Sequence, residues 1–346
     1  MVIDEELESE ESQEADDLFE HYKFSVDAGQ ARLRLDKFLT LRLPKTSRNK
    51  IQQAAINGCV LVDGKAQKSN YKVRPGDEVT LVMAYPKREL EVIAEDIPLD
   101  IVYEDDELLI VHKGSNMVVH PGHGNYTGTL INGLLHHIQQ KDPDGSPALV
   151  HRIDKDTTGL LLVGKTEEAQ AFLARQFFER SIHRRYVALV WGDLQDDKGT
   201  IEGHLARDPR NRKLMRVFPD GEKGKMAITH YEVLKRFGYV TLVSCKLETG
   251  RTHQIRIHFK YIGHPLFGDK TYGGDRIMKG TTFTKYKQFV ENCFSILPRQ
   301  ALHAQSLGFE HPKKGEMNFE SDLPADMQQV IDKWERYTES GHPLQE

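Results

Sequence analysis

Between two apolar runs, Ala148-Leu149-Val150 and Leu160-Leu161-Leu162-Val163, lies the polar stretch His151-Arg152-Ile153-Asp154-Lys155-Asp156-Thr157-Thr158-Gly159. A loop at the ends of buried strands is a favoured place for catalytic groups, because the scaffold fixes them while the loop stays reachable. A carboxylate there can serve as nucleophile or general base. The same pattern also suits an ordinary turn in which Asp and Thr bond the backbone. A second polar cluster follows the Gly250 turn. Residues 252–262 have helical spacing, with Ile255, Phe259 and Ile262 inward and His253, Arg256 and Lys260 on another face. Tyr186, after Arg184 and Arg185, opens a strand-like run. Two histidine groups, His120 with His123 and His136 with His137, raise the question of a metal. The first lacks regular spacing, adjacent histidines on a helix diverge, and no cysteine lies near, so no metal site is expected.

The elements that must carry these groups are partly visible. Ile101-Val102-Tyr103 and Leu108-Leu109-Ile110-Val111 flank an acidic turn, the pattern of a hairpin. Leu130, Ile131, Leu134, Leu135 and Ile138 recur at helical spacing after Thr127 or Thr129, either of which can cap. A helix is predicted over 166–180, and strands over 186–191, 227–233 and 240–247. Without regular βαβ alternation this is an α+β fold with a mixed, mostly antiparallel sheet. Upstream, Leu35, Phe38, Leu39, Leu41 and Leu43 suggest one short helix. Ser47 can cap a second, with Ile51, Ala54 and Ala55 as its buried stripe, before Gly58. Strands at 60–62 and 79–83 complete a helix-helix-strand module.

The net charge of −5 is unevenly spread. Ten acids and no base occupy residues 1–20, and beyond them Lys and Arg outnumber acids by five. Such an acidic block cannot offset its chain entropy by burial. The expected organisation is therefore an acidic tail (1–22), a small basic domain (23–83), a linker (84–97), a larger α+β domain (98–335) and a C-terminal tail (336–346). Three scattered cysteines, Cys59, Cys245 and Cys293, argue against a disulfide framework and for a reducing cytoplasm. No apolar run approaches the ~18 residues of a membrane span, so a soluble protein, monomeric and not membrane-bound, is expected.

Two resemblances sharpen this reading. LRLDKFL, SRNKIQQAAINGCVLVDG and the KVRPGD turn, spanning 31–83, are similar to a small RNA-binding domain shared by a small-subunit ribosomal protein and many RNA-modifying enzymes. The small domain (23–83) would then bind RNA, with Arg34, Arg48 and Lys50 meeting phosphates through counterion release. HRIDKDTTGLLLVGKT resembles the central motif of the RluA/RluD family of pseudouridine synthases. VVHPGHGN, HRRYVALVWG, LETGRTHQIRIH, HPLFGDKTYGG and RQALHA resemble further family blocks in the same order. The resemblance implies that the larger domain (98–335) is catalytic, with isomerisation of uridine in structured RNA without a cofactor, and Asp154 as the catalytic carboxylate. It also implies Arg251 as the cation paired with that carboxylate, Tyr186 as the residue that stacks on the base, and Arg152 as the wedge filling the vacated stack. His151 is expected to orient the loop; Arg256 and His253 are expected to contact RNA. The RluD-like pattern implies large-subunit (23S) ribosomal RNA or a pre-ribosomal particle as partner. Another ribosomal or transfer RNA site, or a non-catalytic assembly factor, remains the alternative.

Overall fold

The computed structural model describes residues 19–43, 46–56, 58–83, 92–122, 124–211 and 214–340. Most of the expected acidic tail and linker, His123, the side chain of Lys50 and the last six residues lie outside that description. The chain divides into two compact units, 1–91 and 92–346.

In the first unit, α1 (Leu35–Thr40) and α2 (Arg48–Ile56) pack on a four-stranded sheet ordered β1-β4-β2-β3. Its strands are β1 (Phe19–Ser25), β2 (Val60–Val62), β3 (Lys65–Ala66) and β4 (Glu78–Met83). Leu35, Phe38, Leu39, Leu43, Ile51 and Ala55 meet Val60, Val62, Val79 and Leu81 in one apolar core. Asp63 and Gly64, both at positive φ, make the tight turn from β2 to β3. The strand β1 corrects the tail boundary: it begins at Phe19 and pairs antiparallel with β4.

The second unit is built on an eleven-stranded sheet. Its strands are β5 (Asp100–Glu104), β6 (Leu108–Lys113), β7 (Ala148–Leu149), β8 (Thr158–Gly164), β9 (His183–Trp191), β10 (Lys198–Arg207), β11 (Met215–Phe218), β12 (Lys225–Arg236), β13 (Val240–Leu247), β14 (Leu302–His311) and β15 (Gly315–Glu320). The order runs β11-β10-β12-β13-β9-β14-β8-β6-β5, with β15 on β14 and β7 on β8. Every pairing is antiparallel except β14 with β8, where His303 lies opposite Thr158 and Ala304 opposite Gly159. This is the mixed, mostly antiparallel α+β class read from the sequence.

The helices α3 (Leu130–Gln139), α4 (Glu167–Glu179), α5 (Gln254–Tyr261), α6 (Thr284–Ile296) and α7 (Ala325–Glu339) cover the sheet. Alternate residues of β9 serve two cores. Tyr186, Ala188 and Val190 join α3 and α5, whereas Val187, Leu189 and Trp191 join α6 and α7. Thr129 begins α3, its N–H donating to Asn132 Oδ1 (3.0 Å), and Thr166 Oγ1 accepts from Ala169 N (3.1 Å) at the start of α4. At the C-terminus α7 continues to Glu339, past the expected tail boundary, and Tyr337 stacks on Phe289 at 4.6 Å.

Candidate active site

The polar loop enters at the parallel junction of β14 with β8, the one parallel pairing among the described strands. Gly159 has φ +117, and a Cβ there would lie 2.2 Å from the Ala304 carbonyl oxygen, so only glycine lets β8 approach β14 this closely. In the same cross-strand row Ala304 faces Tyr186, and Tyr186 faces Cys245. The sheet register thus brings the loop 150–157 and the Tyr186 ring to one place. Ile153, in the core, pins the loop from below. The buried Lys113 ammonium holds its flank, donating to the carbonyls of Lys155 (2.9 Å), Met117 (3.0 Å) and Gly114 (2.7 Å). Burial pushes the pKa of Lys113 down to about 7, against the opposing pull of Asp156 and Asp154.

Asp154 is 17% exposed at its side chain. Its Oδ2 accepts from Arg256 Nη1 at 3.0 Å. Arg256 is itself clamped by the fully buried Asp269, with Nε to Oδ2 at 2.7 Å and Nη2 to Oδ1 at 2.9 Å. That bidentate grip fixes the guanidinium plane and leaves Nη1 aimed at Asp154 in the loop 150–157. Burial opposes the Arg256 charge, but the two aspartates outweigh it and raise its pKa above the ordinary arginine value. Asp269 also accepts from the N–H groups of Thr271 and Tyr272. The other oxygen of Asp154 is 4.0 Å from His253 Nε2 and accepts no hydrogen bond among the described residues. His253 shares its Nδ1 with the Tyr272 hydroxyl at 2.7 Å, and burial lowers its pKa.

This geometry departs from two expectations. Arg251 does not pair with Asp154; its Nε donates to the Met226 carbonyl at 3.3 Å and its side chain is exposed. The physical reason is where the helix begins. His253, in the left-handed conformation, precedes α5, so Arg251 stays on the loop while Arg256, in the first turn, points inward. Gln254 holds that loop, accepting from Thr249 Oγ1 and Arg251 N and donating to Ile228 O. Arg256, expected on an RNA-facing surface, is buried instead.

Asp154 and Tyr186 wall a cavity of about 500 Å³ whose rim carries Arg152, Arg180, Arg184 and Arg251. A second cavity, about 570 Å³, opens on the other side of Asp154 beside Lys155 and Lys270. Arg152 is exposed and borders both. Tyr186 is buried, which raises its pKa and keeps the phenol neutral near pH 7. His151 Nε2 accepts from Leu162 N at 2.9 Å and its ring stacks on Phe177. Burial and Arg184 lower its pKa to about 3, so it is a neutral brace for the loop. In the first unit, Arg34 and Arg48 both bind the buried Asp36 and keep their outer faces exposed. His136 and His137 turn to different carboxylates, Asp96 and Glu104.

A carboxylate with one oxygen held and the other open toward a basic cavity walled by an aromatic ring can attack, or take a proton from, a sugar whose base rests on that ring. Residues 107–261 match the RNA pseudouridylate synthase family and residues 33–79 match the S4 domain. The chain is 45% identical to an uncharacterized RNA pseudouridine synthase of Chlorobaculum parvum, over 89% of this chain and 96% of that one. It is 43% identical to ribosomal large subunit pseudouridine synthase D of Nitrosomonas europaea, over 89% and 86%. Among solved structures, human RNA pseudouridylate synthase domain containing 4 has the same fold, with a TM-score of 0.54 at 19% identity, over 68% of this chain and 93% of that one.

Proposed function

The chain belongs to the RNA pseudouridine synthases, enzymes that isomerise uridine to pseudouridine, and from that premise we propose that its substrate is large-subunit ribosomal RNA, met in the cytoplasm either naked or in a precursor particle. The observation that carries the reading is the half-occupied Asp154 carboxylate, held on Oδ2 by Arg256 and open on the side of the cavity. The ribosomal assignment draws on the relatives named for the large subunit and on the S4 match.

The net composition does not change. The bond from the sugar to the uracil nitrogen breaks, the base turns, and a bond to carbon five forms; the hydrogen on carbon five leaves to solvent and the freed nitrogen takes up a proton. Asp154 assists by attacking the sugar or by removing a sugar proton, and its place at the cavity wall supports either route. Tyr186 offers a flat, uncharged face that tolerates a turning ring. A uridine inside a helix must first leave the stack, at a cost of a few kcal/mol; Arg152, exposed between the two cavities, fills the vacated place. The basic residues of the first unit add affinity through phosphates without reading sequence.

The test is tritium release from RNA carrying uridine labelled at carbon five, because that hydrogen is lost only when the carbon becomes glycosidic. Release from large-subunit transcripts or precursor particles, and none from transfer RNA, is expected. Release from transfer RNA alone overturns the ribosomal assignment.

A further inference from the structure

The helix α4 ends in two adjacent phenylalanines with opposite fates. Phe177 is partly buried, packed against the apolar cluster under β8 and β14, stacked on His151 and covered by the Arg184 guanidinium at 5.1 Å. Phe178, about 100° further round the helix, is 88% exposed. Isolated exposed apolar residues are ordinary. This one differs by its place: of the large apolar side chains that stand exposed among the described residues, Phe178 alone lines the cavity that holds Asp154 and Tyr186. Arg152, Arg180, Arg184 and Arg251 share that wall. Arg180, which ends the helix, is exposed and pairs loosely with Glu248 at 3.5 Å, and no other acid besides Asp154 lines the wall.

A bare aromatic face among arginines, on the wall of the cavity proposed to take the target base, is a combination that binds single-stranded nucleic acid: the ring stacks a base and the cations take its phosphates. We propose that Phe178 is the stacking platform for an unpaired base next to the target uridine, with Arg180 taking a phosphate beside it. The enzyme then selects uridines whose neighbour is also free to unstack, in loops, bulges and strand ends, over uridines inside a continuous duplex. This rests on the reading of RNA as the substrate.

The probe is the shortest large-subunit ribosomal RNA stem-loop from which the wild-type protein releases tritium, carrying fluorescent 2-aminopurine in turn at each nucleotide flanking the target. With wild-type protein, one flanking position is quenched on binding. In Phe178→Ala the quench disappears and RNA binding weakens about tenfold, equal to about 1.4 kcal/mol and within the range of one base-aromatic stack. The loss falls on KM more than on the rate at saturation, and Phe178→Trp restores both signals. Phe283→Ala, which removes another exposed ring outside the cavity wall, changes neither. Unchanged quench and affinity in Phe178→Ala, alongside normal wild-type turnover, overturn the platform and leave the RNA reading standing. If the wild type releases tritium from no RNA, the substrate reading falls and the platform falls with it.

Discussion

Asp36 and Asp154 are both aspartates met by arginine, and they are used in opposite ways. Asp36 is fully buried and saturated: Arg34, Arg48, Gln52 and the Lys37 N–H all donate to it. Among the described residues Asp154 has one donor, Arg256, on one oxygen. The arginines around Asp36 have exposed outer faces, whereas Arg256 is buried and held by a second carboxylate, Asp269. A carboxylate whose acceptor positions are filled by its own chain is an organising centre; one whose partner is clamped elsewhere, and whose free oxygen faces a cavity, is left for chemistry. The same pair of residue types therefore builds a helix junction in one unit and the proposed active site in the other.

The contrast breaks most directly at Asp154. Asp154→Asn keeps the shape and the contact to Arg256 but removes the anion, and tritium release is expected to fall by about 10²–10⁴-fold while RNA binding in a filter assay is kept. Substantial release from the variant would place the reaction on another group. Arg256 comes next. Arg256→Met strands Asp269 without a counter-charge, at a cost of about 3–5 kcal/mol, read as a lowered midpoint in urea by fluorescence of the buried Trp191. Arg256→Lys keeps charge but cannot grip Asp269 and reach Asp154 together. It is expected to fold and to turn over about 100-fold more slowly, the scale of a small misplacement of a catalytic group. A fully active Arg256→Lys would mean that the clamp does not position Asp154.

Arg251→Ala sharpens the same comparison from the other side. Because Arg251 makes no hydrogen bond or ion pair with Asp154 among the described residues, turnover at saturation should stay within about threefold of wild type, with RNA affinity falling modestly through one lost phosphate-range charge. A loss as large as that of Arg256→Lys would restore Arg251 to the catalytic pair.

How much of this was legible follows from the range of each interaction. The loop around Asp154, the apolar run of β9, the helix opening at Thr129, one of the two caps the sequence offered, and the helix following Thr166 are local patterns, and they stand where the sequence placed them. The partner of Asp154 is not local. Arg251 and Arg256 lie five positions apart in one basic run, and only the left-handed His253 and the start of α5 decide which points inward. Asp269 had a faint signal, an acid set in the apolar Pro265-Leu266-Phe267-Gly268 stretch, where a buried charge demands a partner. Lys113 had none beyond being a lysine at the end of an apolar strand. The strand β1 was hidden because Phe19–Ser25 follows directly on the acidic block, and its pairing partner lies some sixty residues away. The long β10 and β14 mix Gly, His and Gln among their apolar residues, so their period of two is broken.

The smallest expected effect belongs to the saturated aspartate. Burial alone would raise the pKa of Asp36, but the donors from Arg34, Gln52, Arg48 and Lys37 outweigh it and hold the carboxyl far below its ordinary 3.8. A depressed acid contributes stability above its unfolded value and loses it as pH falls toward its folded one, so the contribution is complete at pH 7 and fades below 3.8. Asp36→Asn removes it at all pH values. Both tryptophans, Trp191 and Trp334, lie in the second unit, so their fluorescence should report an unchanged unfolding midpoint. Hydrogen exchange of the α1 amides at neutral pH should quicken by about tenfold, and turnover at saturating RNA should hold. If exchange in α1 is unaltered, the Asp36 cluster does not organise the helix pair, and the contrast with Asp154 loses its structural half.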